Sequence, residues 1–190
     1  MWDYYRFYLT DNLPVGHYTL VLQVADRQGH TGEKKRLAQL TIQAEPVLLA
    51  DDPQARDVDA VFGEQLRLVE YKLEHRQESL GVSLYWRAEQ RMDTDYKVFV
   101  HIYDPANGAP VAQDDAMPRR WAYPTRFWWP GELVVDRFDI SLREAPPGHY
   151  GVAVGVYDPA DGRRLDVVRP NGSVSADGRL LLDETVVIAE

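Results

Sequence analysis

Two similar stretches, VFVHIYDPANG at residues 98–108 and VAVGVYDPADG at residues 152–162, carry most of the fold information in this sequence. In each, an alternating run rich in β-branched and aromatic residues stops at Asp-Pro-Ala followed by Asn-Gly or Asp-Gly. The Asp side chain accepts a hydrogen bond from a backbone N–H that follows it, Pro fixes its own φ near the value a turn needs, and Gly tolerates positive φ. This string therefore predicts a hairpin turn. It lacks the alternating oxygen ligands and final Glu of a calcium loop, and we expect no metal there.

The same period-two alternation runs along most of the chain and predicts strands, because successive side chains of a strand point to opposite faces. No segment carries a sustained helical stripe. We therefore predict an all-β fold, an antiparallel Ig-like or jelly-roll-like β-sandwich with an extra N-terminal three-stranded segment. The predicted strands are 3–10, 17–25, 36–43, 65–73, 80–89, 96–103, 110–114, 132–140, 149–157, 164–168 and 179–188.

A second repeat concerns domain organisation. The string Pro-Val-Gly-His-Tyr at 14–18 returns as Pro-Pro-Gly-His-Tyr at 146–150, and both precede a predicted strand. Residues 1–45 hold too few strands to bury a core alone, so they either complete the sheets of the larger domain or close a preceding sandwich. The Pro-containing acidic stretch 46–60 is the predicted linker, and the β-sandwich domain is predicted at 61–190.

Composition excludes several classes of function. The chain has 190 residues, with 21 basic and 30 acidic side chains, so its net charge of −9 argues against a nucleic-acid-binding surface. It contains no cysteine, which removes disulfides, thiolate metal sites and cysteine nucleophiles. Apolar runs such as 47–50 are far shorter than a spanning helix, and no signal-peptide pattern opens the chain, so we expect no direct membrane insertion.

The candidate binding residues lie in an aromatic loop at 115–131. Sugar rings stack on flat aromatic side chains, and their hydroxyls need directional donors and acceptors, so this loop predicts a carbohydrate-binding surface. The alternatives are that the rings cover the open end of the core or dock a partner protein. We expect Trp121, Tyr123 and Trp128 to be exposed, and Trp86 and Trp129 to be buried. The predicted ligand-binding residues are Trp121, Tyr123, Trp128, Arg119, Arg126, Asp115 and Glu132.

Catalytic patterns are weak. Acidic residues are frequent throughout the chain, so carboxylates near the aromatic loop are expected by chance. The sequence contains no nucleophile elbow, no phosphate-binding loop and no metal-ligand spacing of histidines. We therefore predict no enzyme activity, no cofactor and no metal site. The carboxylates considered for glycoside hydrolysis are Asp114, Asp115, Glu132, Asp136 and Asp139.

An ordered series of short strings over about 110 residues resembles a known family. The series is Leu84 to Ala88, Asp95 to His101, Val111 to Asp115, Tyr123 to Thr125, Trp129 to Glu132 with Asp136, and Pro146 to Tyr150. It is similar to the soluble β-sandwich domain that follows the membrane portion of bacterial glycosyltransferase-like proteins of the mannosyltransferase type. The resemblance implies an accessory domain exposed at the cell envelope or outside the cell, and it implies no catalytic residues. Residues 4–18 separately look like the closing strands of bacterial Ig-like surface modules.

The functional hypothesis is a non-catalytic accessory or interaction domain of a bacterial cell-envelope protein that binds carbohydrate through the aromatic loop. Its expected partners are a glycan and neighbouring β-sandwich domains of a larger chain. The alternative is a structural spacer or assembly module without a ligand, joined through exposed strand edges. A glycoside-active enzyme is the third hypothesis, and it requires two converging carboxylates with perturbed pKa values.

Overall fold

A computed structural model describes residues 16–42, 54–175 and 177–189. Apart from one 3₁₀ turn at Thr125–Phe127, the regular elements in these ranges are strands. None of the described segments forms a helix long and apolar enough to cross a membrane. The strands are β1 Gly16–Leu22, β2 Lys35–Ile42, β3 Arg56–Phe62, β4 Leu66–His75, β5 Ser79–Ala88, β6 Lys97–Tyr103, β7 Pro110–Ala116, β8 Leu133–Ser141, β9 Gly148–Tyr157, β10 Val167–Val168, β11 Val174–Ser175 and β12 Leu180–Ile188.

The chain divides into two compact units, Met1–Pro46 and Val47–Glu190. In the first unit, β1 and β2 form an antiparallel pair with a register shift after Leu20. Tyr18 and Leu20 are half-buried, whereas Val24 is 67% exposed. The predicted strand 3–10, the first of the three expected there, lies outside the described residues.

The second unit is an antiparallel β-sandwich, which confirms the predicted all-β class. One sheet has six strands in the order β11-β10-β3-β4-β5-β8, and the other has four in the order β12-β9-β6-β7. Every strand pair in both sheets is antiparallel. The two repeated stretches of sequence become β6 and β9, which pair directly with each other.

Period-two alternation places the core between the sheets. On β6, Val98, Val100 and Ile102 are fully buried in this core, and the even-numbered residues of β9 from Tyr150 to Val156 meet them from the neighbouring strand. The six-stranded sheet contributes large side chains from β3, β4, β5 and β8. Its largest fully buried side chains are Trp86, Tyr71, Phe62, Leu66, Leu68, Leu80, Leu84 and Val82.

Strand β3 begins at Arg56, so the last residues of the predicted linker 46–60 form part of the six-stranded sheet. Ala60 and Phe62 are fully buried and give this strand an inward face. Asp59 adopts a positive φ of 53° at a register shift between β3 and β4. This bulge interrupts the alternation that identifies other strands in the sequence, which explains why the segment looks like a connector.

Candidate ligand-binding face

The loop after β7 contains a left-handed turn at residues 117–123, which we call the Trp121 turn. Arg119, Arg120 and Trp121 have positive φ values of 53°, 53° and 71°. The Trp121 N–H donates to the Met117 carbonyl at 3.1 Å, and the Ala122 N–H donates to the Arg119 carbonyl at 3.2 Å. Left-handed geometry costs roughly 1–2 kcal/mol for each residue with a Cβ, so surrounding contacts must hold this turn in place.

Asp136 supplies the main support of the Trp121 turn. It occupies an inward position of β8 between Val134 and Phe138 and is 1% exposed. Its Oδ1 accepts the Arg119 N–H at 2.7 Å and the Arg137 N–H at 3.1 Å. Burial raises the pKa of Asp136 to about 6, although both backbone donors oppose that rise. The carboxylate therefore anchors a strained turn from inside the sandwich.

The rings of the aromatic loop separate into buried and exposed groups. Trp86 is fully buried, as predicted, and Trp121 is 44% exposed, also as predicted. The expected exposure of Trp128 is wrong, because that ring is fully buried and its Nε1–H donates to the Tyr123 carbonyl at 3.0 Å. The expected burial of Trp129 is also wrong, because it is 39% exposed beneath the Arg91 guanidinium, 4.3 Å from the ring centroid.

The 3₁₀ turn at Thr125–Phe127 explains why Trp128 points inward. Thr125 is fully buried; its Oγ1–H donates to the Thr94 carbonyl at 2.7 Å, and its Oγ1 accepts the Tyr96 N–H at 2.9 Å. These two bonds tie the turn to the segment leading into β6. The residue that follows the turn is thereby directed into the core.

Several predicted ligand-binding residues instead stabilise the loop. Tyr123 is half-buried, and its hydroxyl donates to Glu132 Oε1 at 2.8 Å. Glu132 Oε2 also accepts the Trp129 N–H at 2.8 Å. Arg126 Nε donates to Asp95 Oδ1 at 2.8 Å. Tyr123, Trp128 and Glu132 thus form an internal cluster. The side chains of Arg119 and Arg126 are exposed, and Trp121 and Asp115 lie beside the outer surface of the four-stranded sheet.

That outer surface is the side of the four-stranded sheet that faces away from the core. We call it the aromatic face and define it by Lys97, Phe99, His101, Asp115 and Tyr157. On β6, Lys97, Phe99 and His101 lie on this side and alternate with Val98 and Val100, which face the core. The Phe99 ring centroid lies 4.5 Å from that of His101 and 6.2 Å from that of Tyr157, so the rings form a continuous stripe.

Glycines on β9 make room for this stripe. Phe99 pairs with Gly155 across the two strands, and Tyr103 pairs with Gly151. A Cβ at residue 155 would lie 2.0 Å from Phe99 Cζ, and one at residue 151 would lie 2.4 Å from Tyr103 Cζ. Each ring therefore lies flat over a position without a side chain, an arrangement known to compensate for glycine in a strand.

A polar cluster joins the aromatic face to the Trp121 turn. Lys97 Nζ lies 2.8 Å from Asp115 Oδ2 and 5.0 Å from the centroid of the Trp121 ring. The Tyr157 hydroxyl donates to the same Asp115 oxygen at 2.5 Å. Hydrogen bonds from Lys97 and then Tyr157 lower the pKa of Asp115, so it is ionised at neutral pH. Asp115 thus orients two neighbouring donors beside the exposed indole.

The aromatic face holds a shallow depression of about 230 Å³, with Phe99, His101, Asp115, Tyr157 and Arg164 among its lining residues. Burial, followed by the charges of Arg164 and Arg179, lowers the pKa of His101. A neutral imidazole both donates and accepts hydrogen bonds, as a sugar hydroxyl does. The depression therefore sets a small number of directional polar groups beside the rings of Phe99 and Tyr157.

Sequence reasoning missed Lys97, Phe99 and Tyr157 as candidate functional residues, and it treated Arg164 as a turn charge that contacts an acidic sugar only as a minor alternative. The repeat that contains Phe99 and Tyr157 indicates strands and turns, and the hairpin interpretation leaves no role for their outward side chains. A signal was present in the pairing of two aligned repeats: an aromatic residue stands opposite a glycine twice. Recognising it requires knowing that β6 and β9 are neighbours.

The carboxylates considered for hydrolysis each have a structural partner. Asp114 pairs with Arg120, with Arg120 Nη1 3.1 Å from Asp114 Oδ1, and Asp139 pairs with Arg76 at 3.1 Å. Asp115 holds Lys97, and Asp136 holds the backbone of the Trp121 turn. Within the described residues, no group of three or more histidine or acidic side chains is placed to hold a metal ion.

No known family model matches this chain, and no curated protein is detectably similar to it.

Proposed function

We propose that the β-sandwich is a non-catalytic carbohydrate-binding module that takes a glycan on the aromatic face, with the ring of Trp121 as a stacking platform. The observation that carries this proposal is the position of Trp121. A 44% exposed indole is held on a strained left-handed turn, with Lys97 Nζ 5.0 Å from its centroid. An exposed ring that is costly to place is a reason to infer a binding role.

The neighbouring residues fit a saccharide better than an apolar ligand. Asp115, Lys97 and the hydroxyl of Tyr157 form a hydrogen-bonded set next to the indole. Sugars present apolar C–H faces and ring hydroxyls together, so a site that binds them needs an aromatic surface bordered by such donors and acceptors. The depression beside them is shallow, which favours a surface-bound chain over an enclosed small molecule.

We further propose that this module is an accessory part of a bacterial cell-envelope protein. The ordered strings that resemble the soluble domain of mannosyltransferase-type membrane proteins support this placement, and they lie within the β-sandwich. In such a protein, the module would hold the glycan substrate or product near a catalytic domain elsewhere.

A glycan array probed with the full chain tests the proposed binding function. The matched variants are Trp121→Ala and Trp129→Ala, since both remove a partly exposed indole but only Trp121 borders the aromatic face. We expect one or more glycans to bind wild type and Trp129→Ala equally. Trp121→Ala should bind about 5- to 30-fold more weakly, because stacking contributes roughly 1–2 kcal/mol.

Tryptophan emission during titration gives a second readout. Trp86 and Trp128 are fully buried, so a ligand that changes emission in Trp129→Ala but not in Trp121→Ala reports on the Trp121 ring. Equal affinity of Trp121→Ala and wild type for every bound glycan would refute the proposed site. A blank array at high protein concentration would refute the carbohydrate function.

One observation favours the alternative assembly role. Strand β12 forms an edge of the four-stranded sheet and exposes Leu181 at 41% and Val187 at 57%. An exposed apolar edge is a template for pairing with another strand. Sedimentation of wild type and Val187→Lys over a concentration series distinguishes the two roles: concentration-dependent association that the lysine abolishes supports assembly through β12.

A further inference from the structure

Arg164 is fixed against the aromatic face by four independent features. It forms an isolated antiparallel bridge with Tyr157, at the end of β9. Its guanidinium carbon lies 4.8 Å from the Phe99 ring centroid, and its Nη1 donates to the Asp177 carbonyl at 3.0 Å. Gly178, at a φ of +65°, leaves space for it, since a Cβ there would lie 2.6 Å from Arg164 Cβ. The side chain is therefore preorganised on the rim of the depression.

The charge of Arg164 is not balanced locally. The other cations around the aromatic face have carboxylate partners: Lys97 pairs with Asp115 at 2.8 Å, Arg179 with Asp177 at 2.5 Å, and Arg120 with Asp114. Among the described residues, no carboxylate forms an ion pair with Arg164. An uncompensated, fixed guanidinium on a chain of net charge −9 indicates a site for an anionic ligand group.

The other titratable groups that line the depression are neutral or paired, so Arg164 carries its unpaired positive charge. His101 lines the same depression, and the charges of Arg164 and Arg179 act with burial to keep its imidazole neutral. The two acidic residues of the depression, Asp114 and Asp115, are neutralised by their cationic partners. An incoming carboxylate therefore meets one unpaired cation, a neutral imidazole and two ion pairs.

We propose that the glycan is acidic and that Arg164 binds the carboxylate of a uronic acid residue while a neighbouring sugar ring stacks on Trp121. This inference rests on the proposed function and specifies its substrate class. A planar guanidinium matches a carboxylate in shape and donors, and one of its nitrogens already holds the backbone of Asp177. Contacts from Trp121 through Lys97 and Tyr157 to Phe99 and Arg164 are continuous, so an oligosaccharide lies across both binding points.

The test uses the full chain and chemically matched ligands. Oligosaccharides of galacturonate, alginate and hyaluronan are each compared with their carboxyl-reduced derivatives, in which every uronate has become a neutral sugar. The variants are Arg164→Gln and, as a control, Arg76→Gln, which removes an arginine paired with Asp139 and Glu74 on the opposite sheet. Affinities are measured by calorimetry at two salt concentrations.

We expect at least one native oligosaccharide to bind wild type and Arg76→Gln equally. Carboxyl reduction of that ligand and Arg164→Gln should each weaken binding about 10- to 100-fold, because a hydrogen bond to a charged group is lost. The two losses should not add, since both remove the same contact. Raising the salt concentration should weaken binding of the native oligosaccharide more than binding of its reduced form.

Three results separate this inference from the proposed function. If wild type binds native and reduced forms equally, and Trp121→Ala weakens both, the module binds carbohydrate but the acidic substrate class is wrong. If Arg164→Gln binds the native form as wild type does, the assignment of Arg164 is wrong. If wild type binds no saccharide of either set or of the array, the proposed function itself fails.

Discussion

The two outward surfaces of the sandwich are built differently. On the six-stranded sheet, Lys72, Glu74, Arg76 and Asp139 form what we call the charged face, in which Arg76 reaches both Glu74 and Asp139 at 3.1 Å. On the four-stranded sheet, the aromatic face places rings over glycines. The charged face is a solvated surface whose ion pairs balance one another. Beside the aromatic face lie the left-handed Trp121 turn and Arg164, which forms no ion pair with a carboxylate of the described residues.

The difference is also energetic. Ion pairs between exposed side chains contribute about 0–1 kcal/mol each, because water already solvates both partners. The Phe99 ring is 3% exposed although it lies outside the core between the sheets, so its contacts with Gly155 are close-packed. Substitutions on the aromatic face should therefore lower the free energy of unfolding more than substitutions on the charged face do.

The largest expected effect is a loss of stability in Gly155→Ala. A Cβ at residue 155 would lie 2.0 Å from Phe99 Cζ and 2.8 Å from the Gly178 carbonyl oxygen, so a ring and a backbone must both move. We expect the free energy of unfolding to fall by about 3 kcal/mol. Gly81→Ala is the control on the charged face, where the nearest atom is the flexible end of Arg76 at 3.2 Å, and its loss should stay below about 1 kcal/mol.

Chemical denaturation measures both changes, and a double variant identifies the cause. Gly155→Ala should cost less stability in a Phe99→Ala background than in wild type, because the new methyl group then no longer meets the ring. Equal stability of Gly155→Ala and Gly81→Ala would show that the two faces do not differ in packing.

The next effect in size concerns Asp136, which connects the core to the Trp121 turn. Its pKa is raised to about 6 by burial, so the folded protein binds this proton more tightly than the unfolded chain does. The resulting stabilisation is fully present below the unfolded pKa near 3.8 and is lost as the pH rises through about 6. Asp136 Oδ2 has no partner among the described residues, so a proton there leaves the bonds of Oδ1 intact.

Asp136→Asn is the matched variant, because its amide oxygen still accepts the Arg119 N–H but cannot titrate. Between pH values of about 7.5 and about 4, the unfolding free energy of wild type should rise relative to this variant by about 2 kcal/mol. Carboxylates with lowered pKa values, such as Asp115 and Glu74, destabilise both proteins equally at low pH and cancel in the comparison. A difference that stays constant with pH would mean that burial does not raise the pKa of Asp136.

The sequence predicts the fold well because alternation and turn chemistry are local. The strings at 98–108 and 152–162 become two adjacent strands, each followed by the predicted turn: the Gly108 N–H donates to the Asp104 carbonyl and the Gly162 N–H to the Asp158 carbonyl. Strand β3 is missed because the bulge at Asp59 breaks its alternation. The two-residue strand β11 is missed because such a strand has no period to detect.

The candidate site is only partly readable from sequence, because ring exposure depends on distant contacts. Trp128 and Trp129 are adjacent and chemically equivalent, and the buried bonds of Thr125 decide which of them enters the core. The role of Asp136 depends on the inward register of β8 and on the left-handed turn that its Oδ1 reaches. Trp121 and Asp115 are found from local composition, whereas their partners Lys97 and Tyr157 come from two other strands.

The smallest expected effect is a change in the free energy of unfolding when one carboxylate is neutralised on each face. Asp115 accepts bonds from both Lys97 and Tyr157, so Asp115→Asn should lower the unfolding free energy by about 1 kcal/mol. Asp139 is 60% exposed, and Arg76 is its one ion-pair partner among the described residues, so Asp139→Asn should change that free energy by about 0.5 kcal/mol or less. Thermal unfolding of both variants at neutral pH measures the difference.

The same two variants also separate stability from binding. Asp115 orients Lys97 beneath Trp121, so Asp115→Asn should weaken glycan binding even where the protein remains fully folded, while Asp139→Asn should bind as wild type does. Equal binding by both variants would show that the polar cluster serves only to stabilise the aromatic face. In that case the contrast between the two faces would be one of packing alone, and Trp121 would have to act without the donors beside it.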